Sequence, residues 1–291
     1  MYGALVALGA VVRRLPYRTL GPCGRTLGRI ARLILRREHR RALANIAIAF
    51  PDWPEPRRRE TIRAMFGHLG TSVLELLWLR NVDVGLRDQL TEFEGMQPTL
   101  DRIDAGRGVV VFTAHCGNWE WLAVSIGLFG RPTTVLHRER NEQEMNDFIV
   151  TTRARGGVTT IGRGTSAAGR ELIQAVRRGG ILAFLIDQNI RTESVKIPFF
   201  GVPALTPIGP AKLAIRTEAA MAIGFIERLP DGRHRIRFSE PVDCHRSDDP
   251  VELTRRVTAA IEEQIRRVPE QWVWFHERWR ERPEWDVSGK A

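Results

Sequence analysis

Short apolar runs alternate with stretches of helical spacing through the central part of the chain. The unbroken run at 109–112 is typical of a strand that is buried on both faces of a parallel sheet. The predicted strands are 109–112, 133–136, 158–161, 181–186, 221–226 and 233–238, and the predicted helices are 57–79, 118–129, 142–153, 167–178, 207–217 and 251–267. This alternation predicts an α/β fold with a mostly parallel central sheet flanked by helices.

The first fifty residues differ from the rest of the chain in charge. They contain ten arginines and one acid, Glu38, and so carry nine of the ten net positive charges. Residues 1–12 are apolar but fall short of the roughly 20 residues that cross a bilayer. Because positive charges follow this stretch rather than precede it, a signal peptide is not predicted. We therefore predict a basic membrane-associating segment at 1–50 and a single core domain at 51–291.

Within the basic segment, residues 26–50 have the spacing of one helix with an arginine face. The arginines on this face are Arg25, Arg29, Arg32, Arg36 and Arg40, with Leu27, Ile30, Ile34 and Leu35 toward another face. Such a helix is typical of segments that lie on an anionic membrane surface. A solvated helix packed on the core is the alternative. Since the remaining 241 residues are nearly neutral, a nucleic-acid partner is not predicted.

The three cysteines are Cys23, Cys116 and Cys244, an odd number with wide spacing. Neither a disulfide framework nor a zinc site with paired cysteines is encoded by this pattern. The composition favours a reducing, cytosolic environment and predicts no metal site.

The strongest candidate for chemistry follows the apolar run at 109–112. Ligands in parallel α/β sheets bind beyond the carboxyl ends of the strands, and His115 comes directly after this run. If His115 lies on the turn and Glu120 in the first helical turn, the carboxylate can reach one imidazole nitrogen and leave the other free as a base. A capped turn with a satisfied histidine is the structural alternative.

The run His-Cys-Gly-Asn-Trp-Glu from His115 to Glu120 closely resembles the His-x4-Asp/Glu motif of the lysophospholipid acyltransferase superfamily. Its Asn-Trp-Glu form resembles the bacterial lipid A biosynthesis (lauroyl/myristoyl) acyltransferase family. Segments similar to further motifs of that family occur in the same order at 45–51, 185–188, 197–201 and 269–276. Two departures are the short apolar stretch at 1–12 and the pair His137-Arg138, where Tyr-Arg is frequent.

The resemblance implies an O-acyltransferase at the cytoplasmic face of the bacterial inner membrane, with His115 as general base and Glu120 as its orienting acid. The residues expected to bind substrate are Asn118, Arg138, Arg153, Arg163, Asp187 and Gln188. The donor would be a thioester of acyl carrier protein or coenzyme A, the acceptor a lipid A-like glycolipid, and no cofactor or metal is expected.

Three alternatives stay open at this point. The acceptor could be a phosphatidylinositol mannoside or a lysophospholipid with acyl-CoA as donor, although Glu120 favours the lipid A-like branch. The chain could also be a non-catalytic lipid-binding protein on the same fold. A covalent mechanism through Cys116 is a further alternative, disfavoured because adjacent side chains usually diverge and the resembled family transfers the acyl group directly.

Overall fold

The computed structural model describes residues 2–137, 143–163 and 167–288. These residues form an eight-stranded sheet, whose strands are β1 (Thr91–Glu94), β2 (Val109–Thr113), β3 (Thr133–His137), β4 (Val158–Gly162), β5 (Ile181–Leu185), β8 (Ala220–Arg228), β9 (His234–Phe238) and β10 (Val242–Asp243). The main path through the sheet runs β1-β9-β8-β2-β5-β3-β4, with β10 paired to β8. Strands β8, β2, β5, β3 and β4 are mutually parallel. The mostly parallel α/β fold predicted from the sequence is confirmed.

Helices cover both faces of this sheet. They are α1 (Tyr2–Val12), α2 (Tyr17–Ile34), α3 (Arg36–Ala49), α4 (Glu55–Trp78), α5 (Val84–Leu90), α6 (Gln97–Asp104), α7 (Trp119–Gly127), α8 (Gln143–Arg155), α9 (Ala168–Arg177), α10 (Gly209–Thr217) and α11 (Pro250–Arg267). All five residues of β2 are buried, because helices cover this central strand on each side. Within the described ranges, no helix combines the length and hydropathy needed for a membrane crossing.

The single helix predicted at 26–50 is wrong. Helix α2 ends at Ile34 and α3 begins at Arg36, because Leu35 adopts φ −83° and ψ 59°, outside the helical region. Helix α2 also begins earlier than predicted, at Tyr17. The arginine stripe is therefore divided between two helices, with Arg25, Arg29 and Arg32 on α2.

The N-terminal helices pack directly on the core. Gly24 and Gly28 of α2 cross α4 at such short range that a β-carbon at either would overlap with the α4 backbone, so the two helices pack without intervening side chains. Helix α3 contributes Ala42 and Ile46, both fully buried, to the hydrophobic cluster that contains Phe112 of β2. The basic segment is therefore continuous with the core.

A two-stranded antiparallel sheet precedes α10 and includes Pro207, the first residue of the helix predicted at 207–217. Strands β6 (Ser194–Phe199) and β7 (Val202–Pro207) pair in this small sheet, so Pro207 ends a strand and α10 begins only at Gly209. The turn between the strands places Phe200 at φ +53°, and Phe199 and Phe200 are both buried in the core. Within the family-like segment at 197–201, the two phenylalanines are thus part of the protein core, whereas Pro198 and Gly201 are exposed.

Candidate active site

His115 and Asp187 lie side by side at the carboxyl edge of the sheet. Thr113, the last residue of β2, is in register with Leu185, the last residue of β5. His115 and Asp187 each follow two residues later, and this brings their side chains together. Nδ1 of His115 lies 2.8 Å from Oδ1 of Asp187, and the backbone N–H of His115 donates to Oδ2 at 3.0 Å.

Asp187 is fully buried. The indole N–H of Trp272 donates to its Oδ2 at 2.8 Å. Burial would raise the pKa of Asp187, but the charges of His115 and His276 and the hydrogen bonds from His115 and Trp272 hold that pKa below its ordinary value. The carboxylate is therefore placed to fix the imidazole and to stabilise its protonated form.

The imidazole of His115 keeps one nitrogen open. Its side chain is 21% exposed, and Nδ1 is engaged by Asp187. Nε2 has no hydrogen-bond partner within the part of the chain that the structure describes. The rings of Trp119 and His276 have centroids 4.9 Å and 5.5 Å from the His115 ring. Nε2 is thus the nitrogen available to a substrate proton.

The loop that carries His115 is fixed by its backbone. Gly117 adopts φ +59°, and a β-carbon there would overlap with the backbone oxygen of Ile226. The N–H of Gly117 donates to the carbonyl of Gln271 at 2.8 Å, and Cys116 forms a β-bridge with Trp272. The segment at 271–272 therefore positions both the His115 loop and Asp187.

Glu120 does not contact His115, in contrast to the expected pairing. Its two carboxylate oxygens accept from Nε and Nη2 of Arg153, each at 2.7 Å, in a fork that is buried at both ends. Glu120 lies in the first turn of α7 and Arg153 near the end of α8, so the side chain points to a neighbouring helix rather than back to the turn. The acid that contacts His115 is Asp187.

Asn118 is buried and uses both the oxygen and the nitrogen of its amide within the protein. Its Oδ1 accepts from the N–H of Trp121 at 3.1 Å and caps α7, and its Nδ2 donates to Glu75 at 2.7 Å. Glu75 also accepts from Tyr17 and Arg228, and the charges and hydrogen bonds of Arg228 and His234 hold its pKa below the ordinary value against the effect of burial. In this structure, Asn118 therefore fixes the start of α7.

The other residues expected to bind substrate are spread around the same edge of the sheet. Gln188 contacts His276 through side-chain nitrogens 2.7 Å apart. Arg163 is half-buried and donates to the carbonyl of Arg191 at 2.6 Å. Arg138 lies outside the described residues.

All three cysteines are free thiols. Cys23 is exposed, whereas Cys116 and Cys244 are buried. Over the described ranges, no group of three histidine, cysteine or acidic side chains is arranged to hold a metal ion.

Cys116 is a poor nucleophile, since burial raises its pKa well above the ordinary value. We expect Cys116→Ala to leave the rate of acyl transfer nearly unchanged. Its cost in unfolding free energy should be about 1 kcal/mol, that of deleting one buried heavy atom. Thioester turnover and thermal melting of the purified variant measure the two quantities. Complete loss of turnover in a variant that melts normally would instead support the covalent mechanism through Cys116.

Two residues of this site were absent from the predicted set. Trp272 and His276 reach it from the C-terminal segment after α11, and Asn45 of α3 holds that segment by donating to the carbonyls of Trp274 and His276, both at 2.6 Å. In the sequence, these residues are indicated only by the two segments at 45–51 and 269–276 that resemble motifs of the family. The sequence alone does not assign a role to either segment.

A histidine that is held by a buried carboxylate at Nδ1 and left open at Nε2 has the geometry needed to accept a proton from a substrate. Comparison with known proteins identifies the kind of enzyme. The family model described as bacterial lipid A biosynthesis acyltransferase matches residues 2–281, so the chain belongs to that family and is an O-acyltransferase.

Relatives of known activity resemble the chain along most of its length. The lipid A biosynthesis palmitoleoyltransferase of Escherichia coli is 27% identical over 93% of this chain and 88% of that protein. The lauroyltransferase of the same organism is 27% identical over 94% and 89%. A phosphatidylinositol mannoside acyltransferase of Mycobacterium tuberculosis is 28% identical over 62% of this chain and 58% of that protein. Acyl transfer to a glycolipid is the activity common to these names.

Proposed function

We propose that this chain transfers a fatty acyl chain from a thioester of acyl carrier protein or coenzyme A to a hydroxyl of a lipid A-like glycolipid. The observation that carries the proposal is the His115–Asp187 pair with Nε2 open, at the carboxyl end of β2 and β5. Relatives named for lipid A biosynthesis, similar over nearly the whole chain, support the lipid A-like acceptor.

The reaction then needs one base and no cofactor. Nε2 of neutral His115 takes the proton of the acceptor hydroxyl while the hydroxyl oxygen attacks the thioester carbonyl. Asp187 stabilises the imidazolium that forms, in the role of the acid in a catalytic triad. The tetrahedral intermediate collapses by breaking the carbon–sulfur bond, and the leaving thiolate receives the proton from His115. The products are an ester and a free thiol.

Arg153 has one donor left for substrate. Nε and Nη2 are occupied by Glu120, whereas Nη1 is buried and has no hydrogen-bond partner among the residues that the structure describes. A buried unpaired donor is costly unless a ligand or water satisfies it. We propose that Nη1 binds a phosphate or carbonyl oxygen of the substrate, and that Glu120 holds the guanidinium in place.

The acceptor distinguishes the two candidate activities within the family. We expect expression in a bacterial host that lacks its own late acyltransferase to restore secondary acyl chains on lipid A, measured by mass spectrometry of the lipids. Acylated phosphatidylinositol mannoside, formed in a host that makes this lipid, would instead support the second candidate, favoured by the mycobacterial relative. Lipid binding without thioester consumption on every acceptor would contradict both.

Membrane association also belongs to this proposal, and apolar side chains on the N-terminal helices support it. Leu33 and Ile34 at the end of α2 are 62% and 72% exposed, and Leu8 and Val11 of α1 are also exposed. Exposed apolar residues beside arginines are typical of a helix that lies in the headgroup region. The break at Leu35 leaves arginines on both sides of this apolar surface. We propose that α1, α2 and the start of α3 contact the cytoplasmic face of the inner membrane.

Replacing the five arginines of the stripe by glutamine should weaken binding to anionic vesicles by about 10³- to 10⁴-fold, since each contributes about 1 kcal/mol near such a surface. Co-sedimentation with anionic and neutral vesicles measures the effect, and high salt should reproduce part of it. The matched control replaces five exposed arginines outside the segment, namely Arg170, Arg177, Arg178, Arg216 and Arg246. Equal binding by both variants and the wild type would contradict electrostatic docking.

A further inference from the structure

A cleft of about 820 Å³ lies away from His115, between α2, α4 and the turn that joins β8 to β9. We call it the arginine cleft; its lining includes Arg18, Arg25, Arg29, Arg63 and His68. Its volume is within the range of about 300–1,000 Å³ that is usual for sites of small molecules. Neither His115 nor Asp187 lines it, so the cleft is separate from the candidate active site.

The charges that line the arginine cleft do not cancel. Of its carboxylates, Glu75 is paired with Arg228, Asp231 with Arg233, and Glu227 with arginines of β9 and α11. Two further carboxylates of the lining, Glu60 and Glu270, form no ion pair with any described residue. The same is true of four arginines of the lining, namely Arg18, Arg25, Arg29 and Arg63. The unpaired groups therefore leave an excess of positive charge in a concave site, which attracts an anion.

Arg25 and His68 converge in this cleft. The aliphatic part of Arg25 lies across Gly67 and its guanidinium over Gly21, where an ideal β-carbon would lie 3.4 Å and 3.3 Å from its nearest atom. Burial lowers the pKa of His68 to about 4, and the charges of Arg228 and Arg25 contribute to this lowering, so the imidazole is neutral at pH 7. It makes no hydrogen bond to the described part of the chain. A neutral ring N–H can donate to an anion without adding a buried charge.

We propose that the arginine cleft binds a phosphate group, with Arg25 and Arg29 as the principal cationic contacts and His68 as a neutral donor. Planar guanidinium groups match the geometry of phosphate oxygens and form charge-assisted hydrogen bonds to them. The same helix α2 exposes Ile30, Leu33 and Ile34 to solvent, so an amphiphile could place its headgroup in the cleft and its chains along α2. The phosphate comes either from a lipid headgroup or from a soluble phosphate ester.

Direct binding by the full-length protein in a maltoside detergent tests the site, with calorimetry as the measurement. The probes are dioctanoyl phosphatidic acid, glycerol 3-phosphate and dioctanoyl glycerol. Glycerol 3-phosphate has the phosphate of the lipid without its acyl chains, and dioctanoyl glycerol has the acyl chains without the phosphate. We expect the phosphatidic acid to bind and the dioctanoyl glycerol not to bind. Binding of glycerol 3-phosphate as tightly as the lipid would identify a soluble ester as sufficient, whereas its failure would identify the lipid headgroup as the source. Equal binding of dioctanoyl glycerol and phosphatidic acid would overturn the proposal.

The double variant R25Q/R29Q should weaken phosphatidic acid binding at least about tenfold per arginine, the effect of removing a charged hydrogen-bond donor. The matched control R36Q/R40Q removes the same charge from α3, outside the cleft. Equal losses in both variants would mean that only the general positive field binds the lipid, and would overturn the site.

A second measurement reports on the cleft itself. The ring resonances of His68, assigned by their loss in H68Q, should shift when phosphatidic acid binds to the wild type and not in R25Q/R29Q. Absence of the shift in the wild type would overturn the role of His68 and the location of the site. Because none of these measurements uses thioester turnover, failure of the proposed reaction would leave their outcome unchanged.

Discussion

Asp187→Asn should lower the rate of acyl transfer by a factor of about 10² to 10⁴, the range for loss of a general base. Oδ2 of Asp187 accepts from two donors, the backbone N–H of His115 and the indole of Trp272. Only the oxygen of an asparagine can replace it there, so the amide NH₂ must face Nδ1 of His115. Nδ1 then becomes an acceptor and the ring proton moves to Nε2, where it blocks proton removal from the substrate. Single-turnover kinetics with a saturating acyl donor measures this loss.

Glu120→Gln is the matched control, because it replaces the other buried acid of the site. It removes the charge that neutralises Arg153, and breaking such a buried pair typically costs about 3–5 kcal/mol of stability. We therefore expect a large fall in melting temperature, and a smaller loss of rate than in Asp187→Asn when both are measured well below the melting point. If Asp187→Asn retained its rate while Glu120→Gln lost it, Glu120 would be the acid that acts with His115.

The central sheet is predictable from the sequence because its strands are covered on both faces. Continuous apolar runs such as 109–112 and 181–186 indicate buried strands when turns and amphipathic helices separate them. The boundaries of the N-terminal helices are harder to predict, since the break at Leu35 involves no glycine or proline. The hairpin of β6 and β7 carries Pro198 and Pro203, residues that normally argue against a strand.

The position of His115 was predictable, and its partner was not. His115 and Asp187 both follow an apolar strand, but the sequence does not show that β2 and β5 are neighbours, with β3 beyond β5. Proximity along the chain instead favoured Glu120, five residues away. Once Asn118 caps α7, Glu120 lies in the first helical turn, from which its side chain reaches Arg153 of α8. Local spacing cannot decide between an acid in the same loop and one on a neighbouring strand.

His115→Ala should reduce acyl transfer by at least about a hundredfold without unfolding the protein. Without the imidazole, no base takes the proton from the substrate hydroxyl, and a neutral alcohol attacks a thioester slowly. The fold should persist because the side chain is partly exposed and the backbone N–H of His115 still donates to Asp187. Thioester turnover and thermal melting of the purified variant measure both expectations.

The double variant H115A/D187N separates a shared role from two independent ones. If Asp187 acts only by orienting the His115 imidazole, replacing Asp187 has no further effect once that imidazole is absent. The double variant should then be no slower than His115→Ala alone. Independent contributions would instead multiply the two losses. A further loss in the double variant would assign Asp187 a direct contact with substrate, as the family resemblance implies. Near-normal turnover by His115→Ala would show that His115 is not the general base.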